Sequence, residues 1–122
     1  MILQGKGLWA WRLWELEQAL MIAPAMGITH VLYKVGQGPL GSKPGFVIAA
    51  LQTAAQRIRQ AGYTPFAWSF TTLGDPDFEA QMVVDAFTAG FEGFVFNAEG
   101  ATNGRREAAI ALGEKLHAAN VD

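Results

Sequence analysis

Glu99 is the residue in this 122-residue chain whose type and position most suggest chemistry. It closes the stretch Gly93-Phe94-Val95-Phe96-Asn97-Ala98. Strand alternation places Phe94, Phe96 and Ala98 on one side and Val95, Asn97 and Glu99 on the other. One face thus turns polar where the strand runs out. Barrel enzymes hold their reactive groups at the C-terminal ends of buried strands. A carboxylic acid in a low-dielectric pocket can protonate a glycosidic oxygen. The plainer alternative is a carboxylate that ends a strand and faces water. Arg12, Lys34 and Trp68 fall near the ends of three earlier strand-like stretches, with Ser69 beside Trp68. Aromatic rings beside hydrogen-bonding groups suit sugar binding. Here too a structural alternative stands, an interior ion pair of Glu99 with Lys34 or Arg12. Lys34 as a Schiff-base amine would make the chain a lyase instead.

These residues are positioned by an alternation of strand-like and helix-like segments. Residues 8–13 (LWAWRL), 31–35 (VLYKV), 66–70 (FAWSF) and the Glu99 stretch read as strands. Between them, residues 15–26 carry Leu16, Ala19, Leu20 and Ala23 on one helical stripe. Residues 46–60 carry Ile48, Leu51, Ala55 and Ile58 in the same way. Pro24 should bend or shorten the first helix. Arg57 and Arg59 suit the negative end of the second helix dipole. Asp75-Pro76 reads as an N-cap followed by proline at the first helical position, and this helix runs to about Ala89 with Phe78, Met82, Val83 and Ala86 inward. Asn103 is placed to cap a fourth helix over residues 105–119, burying Ala108, Ala111, Leu112 and Leu116.

The junctions repeat. Gly27-Ile28, Gly62-Tyr63 and Gly90-Phe91 each join a helix stop to an apolar residue just before a strand. Asn120-Val121 begins the same phrase, with asparagine able to take the left-handed position of the glycines. Four consecutive βα units imply an α/β fold with parallel strands and right-handed crossovers. Spacings of roughly 28–35 residues suit half of a (βα)8 barrel, in a single domain spanning residues 1–122. A flavodoxin-like open parallel sheet is the alternative. A half-barrel leaves two unpaired edges, so the expectation is either a longer barrel of which this is the N-terminal part, or self-association.

Composition narrows the function classes. With 51% hydrophobic and 16% charged residues, the chain can bury a core and is not disorder-prone. A net charge of −2 without a basic block argues against nucleic acid. No cysteine is present, so thiolate metal sites and disulfides are excluded, and His30 and His117 lack ligand-like spacing. The longest uncharged apolar run, residues 19–28, is too short to span a bilayer, and the N-terminus does not read as a signal peptide. A soluble chain without membrane association is expected. Gly36-Gln37-Gly38-Pro39-Leu40-Gly41 fits G-x-G-x-x-G literally, but Pro39 removes a donor and no acid closes the third strand to hold a ribose. Residues 36–43 approach a P-loop with Ser42-Lys43 in the wrong order. Neither implies a cofactor, and a loop lining a substrate groove is the simpler reading. Trp9, Trp11 and Trp14 read as packing residues, and His30 as structural.

Taken together, LWAWRL, THVLYKVGQG, FAWSF and GFVFNAEG resemble the first half of a glycoside-hydrolase-type (βα)8 barrel. They are similar to the phage- and bacteria-associated, lysozyme-like muramidases near glycoside hydrolase family 25. That family ends its fourth strand with Asp-x-Glu, the Glu serving as catalytic acid. Glu99 matches the Glu, and Asn97 stands where the family has Asp. The resemblance implies a carbohydrate substrate bound through Trp68, Lys34 and Arg12, with Glu99 and Asn97 catalytic and no cofactor. Because Asn97 cannot couple to Glu99 by charge and a glycosidase needs a second carboxylate or its equivalent, the isolated chain is expected to be inactive. A non-catalytic carbohydrate-binding or structural module is the alternative.

Overall fold

The computed structural model describes residues 3–37 and 48–121. Its elements run β1 (Gly7–Ala10), α1 (Leu13–Met26), β2 (His30–Gln37), α2 (Ile48–Gln60), β3 (Thr64–Thr71), α3 (Pro76–Ala89), β4 (Phe94–Ala98), a short 3-10 turn (Gly100–Thr102) and α4 (Arg106–Ala118). The start of the second helix before Ile48 and the glycine-rich motif beyond Gln37 lie outside the described residues.

The four strands form one parallel sheet in the order β1-β2-β3-β4. A flavodoxin-like sheet has the order 2-1-3-4-5, with a reversal after its first strand. Here the winding never reverses, so each helix neighbours the next: α1 packs on α2, α2 on α3 and α3 on α4. One sheet face is covered by this helical layer. Ala10, Val31, Tyr33, Val35 and Ala67 meet Leu16, Leu20, Leu51, Ile58, Met82 and Ala86 there. Among the described residues no helix covers the opposite face, which carries a separate cluster of strand residues, Leu32, Phe66 and Trp68, with Val95 packed beside it. Consecutive order with one-sided helices is the arrangement of half a (βα)8 barrel.

The repeated junctions close in the same way. Gly27, Gly62, Gly90 and Asn120 all take left-handed backbone angles, with φ of 66°, 92°, 106° and 58°. After each, the amide of the following apolar residue donates five residues back. Ile28 donates to Ala23, Tyr63 to Ile58, Phe91 to Ala86 and Val121 to Leu116, at 2.9–3.2 Å. This is the Schellman pattern, which satisfies helix carbonyls and turns the chain toward the next strand. Asn120 adopts it at a position where a β-branched or bulky side chain would be strained.

Several boundaries differ from the sequence expectation. The first strand stops at Ala10, because Glu15 reaches back to accept the Trp11 amide at 2.9 Å and helix α1 starts at Leu13 with Arg12 as an extended N-cap. Pro24 lies inside α1 without ending it: the helix runs on to Met26. Strand β3 is longer than FAWSF at both ends. Asp75 does cap α3, accepting from the Phe78 amide at 3.1 Å. Asn103 does not cap α4; Arg105 holds that position without a side-chain bond, and the intervening 3-10 turn is tied instead by Thr102 Oγ1 donating to the Glu99 carbonyl at 2.8 Å. Arg57 and Arg59 serve as ties between elements. Arg57 pairs in bidentate fashion with Glu17 of α1 at 2.9 Å, and Arg59 donates to the Gly90 carbonyl.

Gly93 is required by packing. A methyl group at this position would overlap the Phe66 ring, which lies against the approach to β4. We expect Gly93→Ala to cost about 1–3 kcal/mol through this overpacking. A urea midpoint unchanged from the parent would show that the Phe66 ring is free to move away.

Candidate functional site

The helix-free face holds two groups of residues. The larger is built around Trp68, in the middle of β3. Trp68 is 2% exposed, so its indole N–H must find a partner. It donates to the carbonyl of Ala10 at 3.2 Å. Since β2 lies between β1 and β3, this bond reaches across one strand. Trp9 and Trp11 meet the Trp68 ring edge-on, with centroids at 4.9 and 5.6 Å. Lys34 Nζ lies 4.1 Å from the centroid of Trp11 and 5.2 Å from that of Trp68, within cation–π range. Strand register explains the gathering, because Lys34 sits opposite Trp68 in the β2–β3 ladder. Immediately afterwards the ladder slips, pairing Gly36 with Ser69 and leaving Val35 as an extra residue. Such a bulge re-aims the strand. Gly36 then lies against Met82 of α3, whose thioether would have to shift to admit a side chain there.

Lys34 is 7% exposed. Burial pushes its ammonium below the usual 10.5, and the like charge of Arg12 pushes the same way.

Asn97 and Glu99 form the smaller group. Asn97 Nδ2 donates to Glu99 Oε1 at 3.1 Å. Both follow Val95 on the helix-free side, as alternation requires, and Glu99 is exposed. Val95 pairs with Trp68. Glu99 therefore lies four residues, or about 13 Å, farther along the strand direction than the tryptophan layer. The structure brings Lys34 and Trp68 together, with Arg12 near enough for its charge to act on Lys34, and places the Asn97–Glu99 pair at the far end of β4. The sequence reading placed Lys34 and Trp68 near strand ends because it drew β2 and β3 too short, and Arg12 at the end of the first strand because it drew that strand too long. In the fold, Lys34 and Trp68 are mid-strand residues. The three tryptophans read as packing residues also differ from expectation: Trp9, Trp11 and Trp14 are 50%, 54% and 56% exposed.

A buried polar residue escaped the sequence reading. Glu79 of α3 is fully buried; its Oε1 accepts from Thr71 Oγ1 and from the Thr72 amide at 3.3 Å, tying α3 to the end of β3. Its Oε2 and the Ser69 hydroxyl have no protein partner among the described residues. A glutamate in the first turn of a helix reads as a dipole residue, and only the fold shows that it points inward. His30 is buried against Phe66 and bonded to Thr29 Oγ1 at 2.9 Å, in keeping with a structural role.

Among the described residues, no three His, Cys, Asp or Glu side chains are grouped so as to hold a metal ion, and no helix is long and apolar enough to cross a membrane. No family model, curated protein or solved structure matches the chain.

The lowered Lys34 value has a consequence for stability. Unfolding returns Lys34 to its ordinary 10.5. Between the lowered value and 10.5 the unfolded chain binds more protons than the folded one, so the contribution of this group to stability rises with pH through that window. Tyr33, pushed above 10.0 mainly by burial and then by Glu15, acts in the opposite sense only above its ordinary value. Urea unfolding followed from neutral pH up to about 10 should show the rise, and Lys34→Met should flatten it. A slope identical in the variant would contradict the assignment to Lys34.

Proposed function

We propose that this chain is a carbohydrate-binding βα module of glycoside-hydrolase type. One observation carries the reading: the half-exposed indole of Trp11 lies over a buried lysine, with half-exposed Trp9 against the same Trp68 ring, on the sheet face that none of the described helices covers. Indole faces pack against the C–H faces of a sugar ring, and a lysine ammonium donates to its hydroxyls. Trp68 supports the two outer rings from behind. Arg12, whose charge acts on Lys34, adds further donors. In this reading Asn97 and Glu99 extend the polar surface at the strand ends.

Titrating intrinsic fluorescence with soluble oligosaccharides tests the proposal. Chito-oligosaccharides and cello-oligosaccharides separate acetamido from plain glucose recognition. A saturable shift is expected with at least one series, and Trp11→Ala should weaken it by about tenfold or more. Trp14→Ala, on the exposed side of α1, should leave it unchanged. If no sugar shifts the spectrum, or if Trp14→Ala matches Trp11→Ala, the binding face has been misassigned.

A second reading is hydrolysis with Glu99 as general acid, favoured by its place on the helix-free side at the C-terminal end of β4. Its weakness is chemical. The neighbour that bonds Glu99 is an amide, and a glycosidase uses a second carboxylate or an acetamido group of the substrate. Release of reducing ends from cell-wall glycan should then fall by about 100-fold or more in Glu99→Gln. Equal rates in parent and variant would remove Glu99 from the chemistry.

A further inference from the structure

Among the described residues, two buried side-chain oxygens lack a protein partner, Glu79 Oε2 and Ser69 Oγ. Both residues are 0% exposed. A buried polar atom left unbonded costs free energy, so native structures pair such atoms with protein or with ordered water. The two orphans belong to neighbouring elements, α3 and β3.

Strand alternation sets Ser69 on the helical side of the sheet, between Ala67 and Thr71. Ala67 is part of the core under the helices, and Thr71 bonds Glu79 of α3. In the β2–β3 ladder Ser69 is opposite Gly36, and Gly36 lies against Met82, one turn after Glu79 in α3. Ser69 is thus flanked along β3 and across to β2 by residues that meet the same turn of α3. The carboxyl itself is fixed by its other oxygen, because Oε1 accepts from Thr71 Oγ1 and from the Thr72 amide. Ser69 and Thr71 are two residues apart on one face, about 6.6 Å along the strand. Two hydrogen bonds through one water span about 5.5 Å.

We propose that a single internal water sits between α3 and β3, donating to Glu79 Oε2 and bonded to the Ser69 hydroxyl. Water fits this pair because Oε2 accepts, while the hydroxyl both donates and accepts. A buried water needs two to four polar partners, and these two atoms supply the minimum. A divalent metal would need about six oxygen ligands. Among the described residues no three His, Cys, Asp or Glu side chains are grouped so as to hold one.

The water completes a lock on the turn after β3. The Leu73 amide donates to Thr71 Oγ1 at 3.3 Å, and the Gly74 amide donates to Thr72 Oγ1 at 3.2 Å. Both threonines are in turn bonded to the Glu79 carboxyl. Leu73 holds a φ of 57°, an uncommon backbone for a leucine, so the turn needs such bonds to persist. Thr71 and Leu73 also line a groove with Phe96, Ala98 and Arg105. Carboxyl and water together fix that wall of the groove. The site lies on the other side of the sheet from Trp68, so it stands or falls independently of carbohydrate binding.

A crystal structure of the protein tests the site directly: one water peak within about 3.2 Å of both oxygens is expected. A direct bond between Ser69 Oγ and Glu79 Oε2, or no peak between them, overturns the proposal. Ser69→Ala tests the lock in solution, since it removes one anchor of the water and leaves Glu79 unchanged. Hydrogen exchange at the Thr72 amide should then speed up about tenfold relative to the Tyr63 amide, which closes the junction after α2. A general loss of stability would move both amides together, so an unchanged ratio overturns the link between the water and the turn.

Discussion

The buried indole of Trp68 is the constraint on which the helix-free face depends. A donor so fully removed from water costs free energy unless it is bonded. The acceptor it finds is the carbonyl of Ala10, two strands away. Strands β1 and β3 are thereby tied across β2, independently of the ladder hydrogen bonds. Trp9 and Trp11 then lean their rings on Trp68, and Lys34 fills the space between two of them. The same bond that stabilises the sheet thus sets the spacing of Trp9, Trp11 and Lys34 around the Trp68 ring.

The two faces of the sheet are stabilised by different physics. On the helical side alanines are interleaved with larger aliphatic residues: Ala10, Ala54, Ala55, Ala67 and Ala86 are all fully buried. They let helices approach closely, and ion pairs such as Arg57–Glu17 and Lys115–Asp77 sit half in water around that contact, where each contributes little alone. On the other side a few large rings do the packing. That side stays partly open at its edges, where β4 is nowhere fully buried. A face of large, half-covered aromatic rings suits recognition of flat apolar surface, such as the C–H faces of a sugar ring.

A single backbone irregularity decides which way β2 faces after Lys34. Val35 is an extra residue in the ladder, and the slip comes one position after Lys34. Without it, alternation would continue and Gly36 would share the Lys34 side of β2. With it, Gly36 turns to the helices, where Met82 occupies the space a side chain would need. Lys34 is left as the last residue of β2 that is regularly paired before the slip.

Much of the architecture was legible in the sequence because it rests on local chemistry. Helix stops at Gly27, Gly62, Gly90 and Asn120 need left-handed backbone, which few residues adopt without strain, and so they show in the residue types. Asp75-Pro76 marked its helix start for a similar reason, through a cap bond within one turn. Alternation in Phe94-Val95-Phe96-Asn97 correctly assigned the faces of β4, since side-chain direction along a strand has a strict period of two. Tertiary structure decided what depends on distant partners: that β1 yields to α1 after Ala10, that the ladder slips at Val35, that Glu79 points inward, and that Lys34 and Trp68 lie a layer below Glu99. Strand length and register are set by the neighbouring strand, and burial by whatever packs opposite. Neither quantity is a property of the segment itself, so the residue types that revealed the repeat could not by themselves reveal which of their number would meet.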